Sequence, residues 1–92
     1  MIDILEYIPY GHENGVTVSA LESRTNLSNR DVRLAIAKAR ENTIIINLQD
    51  GNGYFRPNED EGDIVEHWLN QEKNRRKAIS NNIRVAREFL GL

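Results

Sequence analysis

The sequence predicts a mainly α-helical fold with one small β-hairpin and a long C-terminal helix. Three observations lead there. Apolar residues recur at helical spacing behind capping serines, and a β-branched run leads into Asp50-Gly51-Asn52-Gly53. After Pro57, no further proline interrupts the pattern to Leu90. The 92 residues divide into a folded domain over 1–57 and a long helix over 58–92.

Each element has a local cause. Ile2, Leu5 and Ile8, with Ile4, follow a helical rhythm that Pro9 stops. Gly11 to Gly15 is a turn cluster, and Val16-Thr17-Val18 suits a very short strand. Ser19-x-x-Glu22 and Ser28-x-x-Asp31 both have the capping-box form, in which hydroxyl and carboxylate satisfy free backbone N–H groups. They predict a helix from Ala20 to about Thr25 and another from Asn29 to about Glu41. Asn26 tolerates the left-handed conformation that a tight connection needs. In the second of these helices Val32, Ala35, Ile36 and Ala39 form a core stripe, with Arg30, Arg33, Ala37 and Arg40 on the other side. Thr43 to Leu48 predicts a strand with Ile44, Ile46 and Leu48 on one face, pairing through the glycine turn with Tyr54-Phe55-Arg56. Asn58 and Glu61 signal a third cap. The thirty residues that follow would span about 45 Å as a helix, more than the roughly 25 Å of a compact chain of this length.

Composition narrows the function. No cysteine is present, which excludes disulfides and thiolate metal sites. The start lacks the basic and apolar regions of a signal peptide, and no apolar run approaches the roughly 18 residues of a membrane span. A cytoplasmic protein without membrane contact is the expectation. Net charge is −2 but strongly segregated. Arg24 to Arg40 holds five cations against Asp31, Lys73 to Arg87 holds six cations and no acid, and Glu59 to Glu66 holds five acids and no cation.

Helix, short strand, helix, tight turn, helix and hairpin is the element order of a winged helix-turn-helix. Ser28-Asn29-Arg30-Asp31-Val32-Arg33-Leu34-Ala35-Ile36, followed by Gly51-Asn52-Gly53-Tyr54-Phe55, resembles the biotin-repressor-type winged-helix module found in small phage and prophage proteins that carry a long C-terminal helix. The resemblance covers about residues 1–57, and the Gly-x-Gly-Tyr wing is its most specific part. Asn26 stands where the family usually has glycine, and no biotin-ligase domain follows, so none of that enzyme's chemistry carries over. The resemblance implies double-stranded DNA as partner and a role as a small transcriptional or phage-type regulator.

Side-chain chemistry supplies candidates. Asn29, Arg30 and Arg33, early in the predicted recognition helix, suit bidentate contacts to adenine and guanine in the major groove. Arg24, Ser28, Lys38 and Arg40 suit phosphate contacts, with Arg56 on the wing. The same cations also suit a solvated basic face with ion pairs. The alternative function is a winged-helix protein–protein adaptor, which the negative total charge favours. For the C-terminal helix a homodimer is the expectation, through Trp68, Ile79, Ile83 and Phe89. Neither an enzyme nor a cofactor is expected: no nucleophile–base set has positional support, and His12 and His67 lack spaced ligand partners for a metal. Gly51-Asn52-Gly53 is a hairpin turn rather than a phosphate loop, because no Lys-Ser/Thr follows. The acidic cluster Glu59-Asp60-Glu61, with Asp63, suits the first turn of a helix.

Overall fold

A computed structural model describes residues 2–92, which separate into two units, one ending at Gly62 and the other Asp63–Leu92. The architecture is mainly helical, with α1 at Val18–Thr25, α2 at Asn29–Ala39 and α3 at Gly62–Leu90. No helix is long and apolar enough to cross a membrane among the described residues.

The turn joining α1 to α2 follows the local signals. Asn26 is left-handed (φ 59°), and its N–H donates to the Glu22 carbonyl, closing the end of α1. Ser28 caps α2 by accepting from the Asp31 N–H at 3.1 Å. The start of α1 differs from expectation. Thr17 is its cap, accepting from the Ala20 N–H at 3.2 Å, so Ser19 lies inside the helix and the expected strand 16–18 does not form. Thr25 is buried at the end of α1. Its hydroxyl donates to the Leu21 carbonyl and accepts from the Leu27 N–H, which leaves no unmet polar group under the turn.

Three other boundaries move. The first helix is a single 3-10 turn, Ile4–Tyr7, capped by Asp3, because Pro9 leaves too few residues for an α-helix. Helix α2 ends at Ala39, two residues short of Glu41. Helix α3 begins at Gly62 rather than at 58, because Glu61 turns back to accept from the Asn58 N–H at 2.7 Å and closes a turn ahead of the helix.

The β-hairpin is the main correction. No regular strand forms among the described residues, only three isolated bridges, and they converge on one tripeptide. Tyr54 pairs antiparallel with Val16, Phe55 antiparallel with Ile46, and Arg56 parallel with Tyr10. Three successive residues thus serve three different segments, and none supplies a second rung. Ile45 and Ile46 are both fully buried while Ile44 is exposed, so the alternation expected of a half-exposed strand is broken. Between the partners Ile46 and Phe55 the chain is spent on turns. Gln49 is left-handed (φ 61°), the Gln49 N–H bonds the Asn47 side chain, and the Asn52 N–H bonds that of Asp50.

The core cluster of the first unit is Ile4, Ile8, Val16, Leu21, Val32, Ile36, Ile45 and Tyr54, and Ile46 and Phe55 are also fully buried. The α2 stripe falls where its spacing predicts: Val32 and Ile36 are buried, with Ala35 and Ala39 half-buried beside them.

Candidate nucleic-acid interface

Burial of Val32 and Ile36 fixes which way the rest of α2 points. At about 100° per residue, Arg30 lies opposite the centre of the full stripe of Val32, Ala35, Ile36 and Ala39, flanked by Leu34 and Ala37, with Arg33 and Lys38 at the edges. Arg30 and those four neighbours are exposed. The rigid turn at Asn26 and the Ser28 cap set the first turn of this face, so Asn29 and Arg30 project from a helix N-terminus whose backbone N–H groups favour negative charge.

Arg33 and Asn29 are joined. The Arg33 Nε donates to Asn29 Oδ1 at 2.8 Å, one turn apart on α2. That bond uses one of five guanidinium donors and leaves both Nη groups free. Among the described residues, Arg24, Arg30, Arg33 and Lys38 form no ion pair. A solvated face laced with salt bridges is therefore not what α2 presents.

Two expected contact residues are tied elsewhere. The Arg40 Nε donates to the Ile45 carbonyl at 3.0 Å, and its guanidinium lies 5.5 Å from the centre of the Tyr54 ring. The Arg56 Nε donates to the Ile8 carbonyl at 3.0 Å, with its guanidinium 4.2 Å from the centre of the Tyr10 ring. Both clamp the chain that follows or flanks the helices. Arg56 is half-buried on the tripeptide hub rather than displayed on a wing. Leu34 is the residue that sequence reasoning missed. It is 56% exposed beside Arg30, and the signal was its place outside the 32–35–36–39 stripe.

The loop 49–52 has its own anchorage. His12 Nε2 donates to Asp50 Oδ2, and the Asn52 Nδ2 donates to the His12 carbonyl at 3.4 Å. The His12 ring tilts against Phe55, with centroids 5.2 Å apart. The His12 N–H donates to Glu61 Oε2 at 3.0 Å. The hydrogen bond from His12, then the Asn52 N–H, holds the Asp50 carboxyl below its ordinary range. The N–H groups of Asn58 and then His12 do the same for Glu61. With Glu61 committed to two backbone donors, the acidic run does not assemble ligands, and no group of three or more metal-ligating side chains occurs among the described residues.

In α3 no residue is buried. Trp68 is half-buried, Ile79 and Ile83 are about half exposed, and Phe89 is 90% exposed. On the helical wheel Trp68, Ile79 and Ile83 share a stripe, while Phe89 lies about 90° from its centre.

No family model, curated protein or solved structure matches this chain.

Proposed function

We propose that the chain is a sequence-specific double-stranded DNA-binding protein of the winged helix-turn-helix kind, acting as a small transcriptional or phage-type regulator in the cytoplasm. Helix α2 enters the major groove and the 47–54 loop serves as the wing. The observation that carries this reading is the exposed face of α2, where Arg30, Arg33 and Lys38 stand unpaired directly after a capped turn.

Arg30 and the Nη groups of Arg33 read guanine edges. Asn29 acts chiefly by orienting Arg33 through their hydrogen bond. Leu34 and Ala37 offer apolar surface to thymine methyl groups. Arg24, Ser28 and Lys38 contact phosphates. The bond to His12 engages the Asp50 carboxylate, which left free would repel the phosphate backbone. Two copies joined through α3 double the length of sequence read.

Selection of bound sequences from random duplex DNA tests the proposal. An enriched motif whose affinity falls steeply with salt is the expected result; absence of any salt-dependent binding refutes it. A protein-interaction adaptor is the second reading, favoured by the exposed Leu34 and the net charge of −2. A protein that ignores heparin and DNA alike would support the adaptor.

A further inference from the structure

Helix α3 presents an unpartnered apolar seam interrupted by a pair of opposite charges. Val65, Leu69, Glu72, Arg76, Ile79 and Ile83 recur at alternating spacings of four and three, and Ala86 and Leu90 continue the series. On the wheel these positions drift by about 20° per heptad, which is the drift a left-handed two-helix coil absorbs. Leu69, Glu72, Lys73 and Arg76 line a shallow depression on the helix surface. Their spacing of i, i+3, i+4, i+7 is that of a hole which receives one side chain of a facing helix.

The charges in the seam decide which helix fits. A parallel second copy in register would set Glu72 against Glu72 and Arg76 against Arg76, burying two like-charge pairs. An antiparallel copy has two registers with extensive overlap. In one, Glu72 faces isoleucine 83 and Arg76 faces isoleucine 79, so both charges lose water against hydrocarbon, and Glu72 keeps only the 3.6 Å ion pair to Arg75 of its own helix. In the other, Glu72 faces arginine, Leu69 faces isoleucine 79 and Val65 faces isoleucine 83, and every layer is matched.

We propose that α3 pairs with α3 of a second copy of this chain, antiparallel, in the register that sets Glu72 against the partner's Arg76 and Leu69 against the partner's Ile79. Overlap then runs from Gly62 to Ala86, about 36 Å of contact, a length suited to the roughly 1,200 Å² that a specific interface buries. The two Gly62 residues stand the same 36 Å apart along the axis, close to the spacing of half-sites one DNA turn apart. This builds on the homodimer put forward above and does not depend on DNA readout.

The chain has no cysteine of its own, so introduced thiols report geometry without background. Full-length Leu69→Cys and Ile79→Cys chains, mixed and oxidised, should give the mixed disulfide in excess of either self-linked product. Self-linkage within each variant overturns the orientation, and the absence of any linkage overturns the register. Sedimentation of the wild type should give twice the monomer mass; a monomer at about 100 µM, far above the Kd of a specific pair, overturns the homodimer as well. Glu72→Arg should weaken association by about 10–100-fold, and the charge swap Glu72→Arg/Arg76→Glu should recover most of the loss. Helix content by circular dichroism distinguishes lost pairing from lost folding, and equal association of Glu72→Arg and wild type overturns the role of the charge pair.

Discussion

Two glycines in the same loop should respond very differently to alanine, and the difference is calculable. Both have positive φ, +90° at Gly51 and +86° at Gly53. Alanine in that region costs about 1–2 kcal/mol from the contact between Cβ and backbone. At Gly51 nothing lies within 4 Å of the added carbon, so that strain is the whole cost. At Gly53 the added carbon would lie 2.3 Å from the Val16 carbonyl oxygen and 2.4 Å from its carbon. Relief requires Val16 to move, which breaks its two hydrogen bonds with Tyr54, now 2.9 and 2.7 Å. Each is worth about 1 kcal/mol. Gly53→Ala should therefore cost about 3–4 kcal/mol and Gly51→Ala about 1–2 kcal/mol. For a domain stabilised by about 5–15 kcal/mol the larger figure is severe. Urea unfolding should be followed through amide resonances of the buried Val32 and Phe55, since far-ultraviolet circular dichroism is dominated by α3. Equal losses from the two substitutions would refute the close approach of Val16 to Gly53, and with it the convergence of segments on residues 54–56.

Further outcomes follow from the same geometry. Arg30→Ala and Arg33→Ala should each lose about 1–3 kcal/mol at a selected DNA site, whereas Arg24→Ala and Lys38→Ala should weaken all sequences alike and lower the salt slope by about one each. Fluorescence anisotropy across a salt series separates the two patterns. Asn29→Ala should reduce affinity in the wild type but have little effect in an Arg33→Ala background, because it acts through the Arg33 Nε bond; additive losses would argue for separate base contacts. Asp50 and Glu61 are held below their ordinary carboxyl values, so their contribution to stability is complete above about pH 5 and declines as acid protonates them in the folded state. Asp50→Asn with Glu61→Gln should flatten the acid side of the stability profile. Asn26→Gly should be neutral or stabilising by a few tenths of a kcal/mol, and Asn26→Ala destabilising by about 1 kcal/mol, because residue 26 is left-handed; thermal unfolding read at core amides checks both.

Sequence was most informative where a residue's partners lie within four positions of it. The Ser28 cap, the left-handed Asn26 and the buried pair Val32 and Ile36 all follow from short-range spacing. It was less informative where neighbouring signals competed. Thr17 and Ser19 are both able caps, and the Thr17 hydroxyl took the role two residues earlier than the capping-box pattern suggested. For the candidate interface, residue types sufficed to find the cations. They did not show which cations were free, because Arg40 and Arg56 look like Arg30 and Arg33 in one dimension. Leu34 went unnoticed for a different reason: its place outside the 32–35–36–39 stripe puts it on the exposed face, but only the cations there were read as contacts.

The amino-acid order alone therefore established helix identity, the direction of the α2 core face and the separation of charge along the chain, since each depends on periodicity or on bonds between near neighbours. Folding in three dimensions settled the fate of residues 43–56. Tyr54, Phe55 and Arg56 each bond a different segment, 38, 9 and 46 positions away at Val16, Ile46 and Tyr10. One bridge per segment creates no repeat for a sequence pattern to reveal. Tertiary packing also bound Arg56 to the Ile8 carbonyl and the Tyr10 ring, and set the Tyr54 ring against Arg40, whose carbonyl partner Ile45 lies five residues on.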